Sequence, residues 1–327
     1  MNFLIRTDGS IKIGNGHMFR MIALADELIL RNFTVTFLVK KDDFWIERLK
    51  KKYTVIKCDE NNKLLYEILD KFFFTHFIYD TRNDLEKSDF LKIRKTKSNP
   101  KIIVNDSPEK IRKYCDIFLS PPIIQIKEWD WSGFQGKIFS DWDFVILRKE
   151  FLKTISKNKN SKNVVLSFGS TDPFLITEKV LHLLNNSGDK FKSLSYTLIV
   201  GPQFDRIEKI KLSSSYKNLN IEILKSPSNI VEIFNSAFFA IISFGVTAYE
   251  LAALKVPFLS ISISNDHEKS AEIFVKNNIS NSLGLVENLD YNFCKFAENF
   301  LNNLNKKNIN FNHKICNWNK IVSSIID

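Results

Sequence analysis

Residue types that could transfer a proton or bind phosphate meet in one short segment near the start of the chain. The stretch "IGNGHMFR" joins two glycines to a histidine and an arginine, and its candidate catalytic and binding residues are Gly14, Asn15, Gly16, His17 and Arg20. Apolar residues at helical spacing predict a helix from Gly16 to Leu30, with His17 in its first turn. Exposed amides and the helix dipole disfavour an imidazolium there, and a neutral histidine can accept a proton from water or a sugar hydroxyl. The spacing alone leaves open whether His17 is a general base or only a polar residue at a helix start.

The glycines of this loop do not form a dinucleotide-binding fingerprint. The third glycine of that motif would fall at position 19, which is Phe19. The second predicted strand ends in Lys40 and Lys41, where a ribose-binding carboxylate would be expected. A nicotinamide-dependent enzyme is therefore disfavoured.

Loop segments of the second half could bind an anion. In "SFGSTDP", Gly169 permits close approach, Ser170 and Thr171 offer hydroxyls and amides, and the following Asp-Pro suits a helix start. The pattern fits either an anion cradle or a capped helix.

A second glycine-containing turn carries more polar groups at useful positions. In "SFGVTAYELAALKVP", Gly245 and Thr247 are expected at a helix N-terminus, where a diphosphate could bind, and Glu250 one turn later could hold a ribose diol. The alternative is that Glu250 is a solvated carboxylate near the helix start. The next loop, "SNDHE", brings Asn265 to a strand end, but no His or Cys lies at metal-ligand spacing, so no metal is expected.

Alternating strands and helices would position these loops. In the first half, strands are predicted at 2–6, 34–39, 53–57, 76–80, 101–105 and 116–119. A polar linker follows at Lys149–Asn163, and the alternation of strands and helices begins again after it. The pattern predicts an α/β chain of two Rossmann-like domains with parallel sheets, covering residues 1–150 and 163–327. A final helix at Asn312–Ile326 can pack back on the first domain. The run Phe72-Phe73-Phe74 is expected in the core.

Composition narrows the class of partner. The 327 residues carry a net charge of +10, but only nine of the 47 basic residues are arginine, and basic runs such as Lys92–Lys97 lack interleaved aromatics. A nucleic-acid partner is therefore disfavoured, whereas attraction to phosphate-bearing substrates or to an anionic membrane surface stays open. The apolar region Ala237–Ile263 is interrupted by polar residues and predicts core, not a membrane span. Four scattered cysteines and no signal peptide favour a cytoplasmic protein; the oligomeric state is not predicted.

The motifs together resemble a known family. "RTDGSIKIGNGHMFRMIALADEL" resembles the G-x-G-H-x-x-R block of the UDP-sugar hydrolases of the pseudaminic-acid pathway and of their spore-coat-polysaccharide relatives. Later segments ("SFGSTDP", "IVGPQF", "SFGVTAYE" and "SNDHEKSAEIF") are similar to blocks that follow in the same order, so that the resemblance spans residues 3 to 285. These later blocks are shared with the wider class of GT-B glycosyltransferases.

The resemblance implies a GT-B fold with substrate in a central cleft, and a reaction without cofactor or metal. His17 matches the general base of the family, Asn265 matches a position near the sugar, and the second-half loops would bind UDP. Water would attack the anomeric carbon, and the C1–O bond would break with inversion, releasing UDP and free sugar. An inverting glycosyltransferase is the alternative, and a non-catalytic nucleotide-binding partner is a third.

One departure from the family pattern concerns the fourth strand. Where the pseudaminic-acid hydrolases have a His-Tyr pair, this chain reads "YDTRND", with Thr81 and Arg82. Arg82 could bind a carboxylate or phosphate through two hydrogen bonds, or be an exposed residue at a helix start. The substrate is therefore expected to be a nucleotide-activated sugar other than the pseudaminic-acid intermediate.

Overall fold

The chain divides into two compact units. The computed structural model describes residues 1–9, 14–40, 43–58, 62–81, 85–105, 111–153, 161–213, 216–304 (without the side chain at position 294) and 313–327. The first unit comprises Met1–Arg148 together with Cys316–Asp327, and the second comprises Lys149–Ile315.

The described part of the first unit is a parallel sheet covered by helices. Its strands are β1 (Asn2–Thr7), β2 (Thr34–Val39), β3 (Thr54–Lys57), β4 (His76–Asp80), β5 (Lys101–Asn105), β6 (Ile117–Ser120) and β7 (Lys137–Ser140). Its helices are α1 (Gly16–Leu30), α2 (Asp43–Lys50), α3 (Lys63–Lys71), α4 (Lys87–Ile93) and, from the end of the chain, α12 (Trp318–Ile326). The strands lie in the order β3-β2-β1-β4-β5-β6-β7.

The described part of the second unit repeats this plan. Its strands are β8 (Asn163–Ser167), β9 (Ser195–Val200), β10 (Asn220–Lys225), β11 (Phe239–Ser243), β12 (Phe258–Ser262) and β13 (Ser280–Leu285). Its helices are α5 (Ile176–Asn185), α6 (Asp189–Lys192), α7 (Ile207–Leu212), α8 (Ile230–Asn235), α9 (Val246–Ala253), α10 (Asn265–Lys276) and α11 (Leu289–Asn303). The strands are parallel, in the order β10-β9-β8-β11-β12-β13.

In each sheet, successive strands are added first on one side of the first strand and then on its other side. In the first sheet, β1 pairs with β2 on one side and with β4 on the other; in the second, β8 pairs with β9 and β11. The strand that follows β1 in the chain therefore lies on one side of the pair β1–β4, and the strand that follows β4 lies on the other; the same holds for β8 and β11. Open α/β sheets bind ligands at the carboxyl edge of such a switch point, because the diverging loops leave a crevice there.

Continuous apolar runs form these strands because both sheet faces are covered by helices. Every residue of β4 and of β12 is buried. The predicted helix Gly16–Leu30 and strands 34–39, 76–80 and 101–105 are confirmed to the residue, and the other predicted first-half strands to within one residue at each end. The sequence did not indicate β7, whose Lys137 and Ile138 are exposed at the edge of the sheet. The region Ala237–Ile263 forms β11, α9 and β12, as a core segment should.

Three local expectations were wrong. Phe72 and Phe73 are 50% and 66% exposed, because α3 ends at Lys71 and the chain leaves it extended; only Phe74 reaches the core. The final helix begins at Trp318 instead of at residue 312. The residues just before it are not helical: Cys316 has a left-handed φ of 61° and Asn317 is extended. Their backbone amides donate to the carbonyls of Trp142 and Asp143.

The third error concerns the linker. Its first residues, Lys149–Leu152, form a 3₁₀ turn that buries Phe151 completely, and residues 154–160 lie outside the described part of the chain. No helix among the described residues is long and apolar enough to cross a membrane.

Candidate functional site

Two strand ends meet at the switch point of the first unit. In the register of β1 and β4, Thr7 lies opposite Asp80, so that both strands end side by side. The chain after β1 leads into α1, and His17 is the second residue of that helix. The strand order therefore brings His17 next to the last residue of β4.

His17, Asp80 and Arg20 form a compact buried cluster. The His17 Nδ1 atom lies 2.8 Å from Oδ1 of Asp80. Arg20, one turn along α1, donates from Nε to Oδ2 of Asp80 over 2.6 Å and from Nη2 to Oδ1 over 2.5 Å. The Asp80 side chain is completely buried, and the His17 side chain is 10% exposed. The fork of Arg20 thus fixes the carboxylate that faces the imidazole.

The hydrogen bonds at Nδ1 depend on the tautomer of His17. The Nδ1 atom lies 2.8 Å from both the Asp80 oxygen and Nη2 of Arg20. With its proton on Nδ1, the ring donates to Asp80; with Nδ1 deprotonated, Arg20 donates to it instead. In the first arrangement the lone pair is on Nε2, which makes no hydrogen bond to any described residue. The pairing with Asp80 thus provides one tautomer in which Nε2 is a proton acceptor.

The charge of Asp80 persists in spite of its burial. Burial by itself raises the pKa of this carboxyl, but the charges of Arg20 and His17 and the hydrogen bonds from both hold the pKa well below its usual range. An ionised Asp80 stabilises the imidazolium that forms whenever His17 accepts a proton. Asp80 was missed by sequence reasoning, although a carboxylate that ends the strand in "YDTRND" was a usable signal.

The loop before His17 is shaped by a glycine conformation and by side-chain contacts with neighbouring elements. Gly14 adopts φ +74°, a left-handed conformation that favours glycine. The Asn15 side chain is buried and accepts a hydrogen bond of 3.0 Å from Nε1 of Trp45, while a Cβ on Gly9 would lie 2.5 Å from the same Trp45 atom. Asn15 and Arg20, expected as substrate ligands, are thus tied to Trp45 and to Asp80. Gly16 is the first residue of α1, and Arg82 lies outside the described residues.

In the second unit, the loop after β8 is a capped helix start. Asp172 is buried and accepts the backbone amides of Ile176 and Thr177 at 2.9 and 2.8 Å. Arg206 donates to the Asp172 carbonyl and carboxylate. Burial raises the pKa of the Asp172 carboxyl, against the opposing effects of these partners. The sequence allowed an anion cradle or a capped helix here, and Asp172 caps the helix. Gly169, Ser170 and Thr171 directly precede this capping residue.

A glycine in the neighbouring loop permits the path of this segment. A Cβ on Gly201, at the end of β9, would lie 2.4 Å from Cβ and 2.5 Å from Cα of Ser170. Any larger residue at position 201 would displace the Ser170 backbone. The sequence motif "IVGPQF" contained this glycine, but its partner could not be read from the sequence.

The loop after β11 lies on the other side of the second switch point. Gly245 directly precedes α9, with Thr247 half-buried in its first turn. Glu250 is only 6% exposed, so the alternative of a solvated carboxylate is wrong. Gly245 has an extended φ of 170°, and a Cβ there would meet no described heavy atom within 4 Å. Neither conformation nor crowding requires glycine at this position.

Asn265 is not brought to that switch point. It begins α10 after the capping residue Ser264, beyond β12, one strand further along the sheet. It lines a pocket of about 520 Å³ between the face of α10 and β13. Within the described ranges, no group of three His, Cys, Asp or Glu side chains could hold a metal ion.

Solved structures with the same architecture define the fold. MurG of Acinetobacter baumannii matches over 100% of this chain and 99% of its own, with a TM-score of 0.66 at 12% identity. UGT89C1 of Arabidopsis thaliana in complex with UDP matches over 99% of this chain and 98% of its own, with a TM-score of 0.64 at 12% identity. The UDP-GlcNAc 2-epimerase of Neisseria meningitidis bound to UDP-GlcNAc matches over 100% of this chain and 99% of its own, with a TM-score of 0.58 at 13% identity. The chain therefore has the two-domain α/β fold of the GT-B class, as predicted.

Sequence similarity to a curated protein covers a smaller part of the chain than the structural similarity does. The chain is similar to an uncharacterized protein of Methanocaldococcus jannaschii, with 31% identity over 274 residues, 79% of this chain and 54% of that protein. It thus spans about half the length of this curated relative. No family model matches the sequence.

Proposed function

We propose that this chain is an enzyme that hydrolyses a nucleotide-activated sugar, most simply a UDP-sugar, at the anomeric C1–O bond with inversion. The observation that carries the proposal is the pairing of His17 with the buried Asp80. In the tautomer that donates Nδ1–H to Asp80, Nε2 of His17 is a base at the carboxyl edge of a switch point. The family resemblance of the opening motif supports the same role for His17.

The proton and electron balance of this reaction needs one base. Nε2 of His17 takes a proton from water as the water oxygen bonds to the anomeric carbon. The C1–O bond breaks with its electron pair passing to the diphosphate, which leaves as UDP. Asp80 stabilises the imidazolium and keeps the ring in the Nδ1–H tautomer, the division of work found in other His–Asp pairs.

The second unit offers groups suited to the nucleotide. Open space beside the backbone of Gly245, with no local reason for glycine there, supports close approach of a diphosphate to the start of α9. Thr247 would add a hydroxyl, and Glu250 would bind the ribose diol. Two of the structural neighbours contain UDP or UDP-GlcNAc in their crystals. The roles of Gly169 to Thr171, Asn265 and Arg82 stay predictions.

A glycosyltransferase is the alternative, favoured by the fold shared with MurG and UGT89C1. In that case His17 would take its proton from the hydroxyl of an acceptor. The two reactions differ in one respect: only the hydrolase releases free sugar when no acceptor is present.

The test is incubation with a panel of UDP- and CMP-sugars in ¹⁸O-labelled water, followed by NMR and mass spectrometry. Hydrolysis predicts ¹⁸O in the sugar and none in the nucleotide, with the inverted anomer formed first. His17→Ala should lower kcat by about 10²–10⁴-fold, whereas His182→Ala, an exposed histidine of α5, should not. Turnover that requires an added acceptor would establish the transferase. Nucleotide binding that is unchanged in His17→Ala, without any turnover, would establish a binding protein.

A further inference from the structure

Two adjacent aromatic side chains are exposed at the amino edge of the first sheet. Phe72 and Phe73, which connect α3 to β4, are 50% and 66% exposed. Exposed single apolar residues are ordinary, but two large neighbouring rings outside the core are not required by the fold.

The structure places lysines beside these rings. The segment after α4 carries Lys95 and Lys97, both exposed, and Lys71 ends α3. The Lys71 Nζ atom lies 5.5 Å from the centre of the Phe72 ring. We call Lys71, Phe72, Phe73, Lys95 and Lys97 the amino-edge surface. The sequence showed a basic run at 92–97 without aromatics; the tertiary structure supplies them from another segment.

Hydrogen bonds fix the two segments against each other. Ser98 donates its amide to the Leu69 carbonyl at 3.0 Å and its hydroxyl to the Phe72 carbonyl at 2.7 Å, and it accepts the Phe74 amide at 3.1 Å. The Lys97 amide donates to Asp70 at 2.9 Å. The segments that carry the lysines and the aromatic rings are therefore held together by hydrogen bonds of Ser98 and Asp70.

The charge of this surface is largely unbalanced. Among the residues that the structure describes, Lys71, Lys95 and Lys97 take part in no ion pair. Two carboxylates of α3 lie nearby. Glu67, one turn before Lys71, pairs with Lys63, whereas Asp70 accepts the Lys97 amide and keeps its negative charge. The three lysines therefore outweigh Asp70. Cations near the carboxyl ends of α3 and α4 complement the helix dipoles, which accounts for lysines there. It does not account for exposed phenylalanines.

We propose that the amino-edge surface docks on an anionic lipid bilayer. Aromatic rings that enter the headgroup boundary, with lysines that reach lipid phosphates, are the two contributions that hold a protein at such a surface. A second copy of the chain is a poorer occupant, because a self-complementary contact would bring like charges together. His17 and Asp80 lie at the carboxyl edge of the same sheet, about 16 Å away for a five-residue strand. Membrane docking would thus leave them accessible.

The test is sedimentation of the full chain with two kinds of vesicle, in the absence of nucleotide sugar. One kind is pure phosphatidylcholine, and the other contains 25% phosphatidylglycerol. Binding is expected only to the anionic vesicles and should weaken in 0.5 M salt. Phe72→Ser with Phe73→Ser should lower the partition coefficient at least tenfold. Lys95→Gln and Lys97→Gln should lower it about fivefold each.

Matched variants of the second unit serve as controls. Phe174→Ser with Leu175→Ser removes another exposed apolar pair, and Lys209→Gln removes another exposed lysine. Neither should change binding. The proposal would be overturned if these controls lost as much binding as the amino-edge variants, or if the chain bound uncharged vesicles equally well. It would also be overturned by tighter binding to single-stranded RNA, or by a dimer that Phe73→Ser dissociates. Because the assay contains no substrate, its outcome is independent of the proposed hydrolysis.

Discussion

At the scale of residues, the His17–Asp80–Arg20 cluster joins three titratable side chains within hydrogen-bond distance. A buried carboxylate is tolerated because the two fork bonds from Arg20 and the bond from His17 replace its lost hydration. The pKa of Asp80 is held below its usual range, so this carboxylate stays ionised above about pH 4. Asp80 therefore keeps its negative charge beside His17 at neutral pH.

Asp80→Asn should lower kcat by about 10²–10³-fold while leaving nucleotide affinity unchanged. The amide keeps the shape of the side chain but carries no charge, so it no longer stabilises the imidazolium that forms when His17 accepts a proton. Steady-state kinetics and titration with UDP would measure kcat and nucleotide affinity.

The control for this substitution is Asp290→Asn, an exposed carboxylate in the first turn of α11. It should leave kcat unchanged. An unchanged kcat in Asp80→Asn, with reduced stability alone, would show that Asp80 is structural only.

At the scale of elements, the switch point of the second sheet depends on how closely its loops approach one another. The loop after β8 crosses the end of β9, and glycine at position 201 leaves room for the Ser170 backbone. The same loop is anchored by Asp172, which caps α5. The path of the loop after β8 therefore depends on the absence of a side chain at Gly201 and on the capping carboxylate of Asp172.

Gly201→Ala should displace the segment 169–171 and weaken UDP binding by about tenfold or more, since the added Cβ overlaps backbone atoms that cannot rotate away. Isothermal titration calorimetry with UDP would measure this loss. Gly188→Ala is the matched control, because its Cβ would have an ordinary contact of 3.4 Å with Glu298. Equal UDP affinity in Gly201→Ala and the unmodified chain would rule out a nucleotide role for this loop.

At the scale of the whole molecule, the first unit is completed by the last residues of the chain. In α12, Ile321 and Ile325 are fully buried, and Lys320 pairs with Asp143. The five tryptophans of the sequence (Trp45, Trp129, Trp131, Trp142 and Trp318) all belong to the first unit. Tryptophan fluorescence therefore reports the unfolding of this unit alone.

Ile325→Ala should lower the free energy of unfolding of the first unit by about 2–5 kcal/mol, because it removes buried methyl groups and leaves a cavity. Urea unfolding followed by tryptophan fluorescence would show the midpoint shift. Ser323→Ala, on the exposed face of the same helix, should change it by less than about 0.5 kcal/mol. Equal midpoints for Ile325→Ala and Ser323→Ala would mean that α12 does not stabilise the unit.

The sequence by itself determined the repeating elements of this protein. Strands such as 34–39 and 76–80 are apolar on both faces, and glycine, proline and polar residues end them, so local pattern is sufficient. It also placed His17 and Gly245 at helix starts, because the period of the apolar residues changes there.

Only the tertiary structure decided which of these residues meet. Asp80 reaches His17 across 63 positions because β4 pairs with β1. Gly201 faces Ser170 because β9 lies next to β8. The exposure of Phe73 likewise depends on where α3 ends relative to the sheet. Strand order joins segments far apart in the chain, and periodicity within one segment carries no information about it.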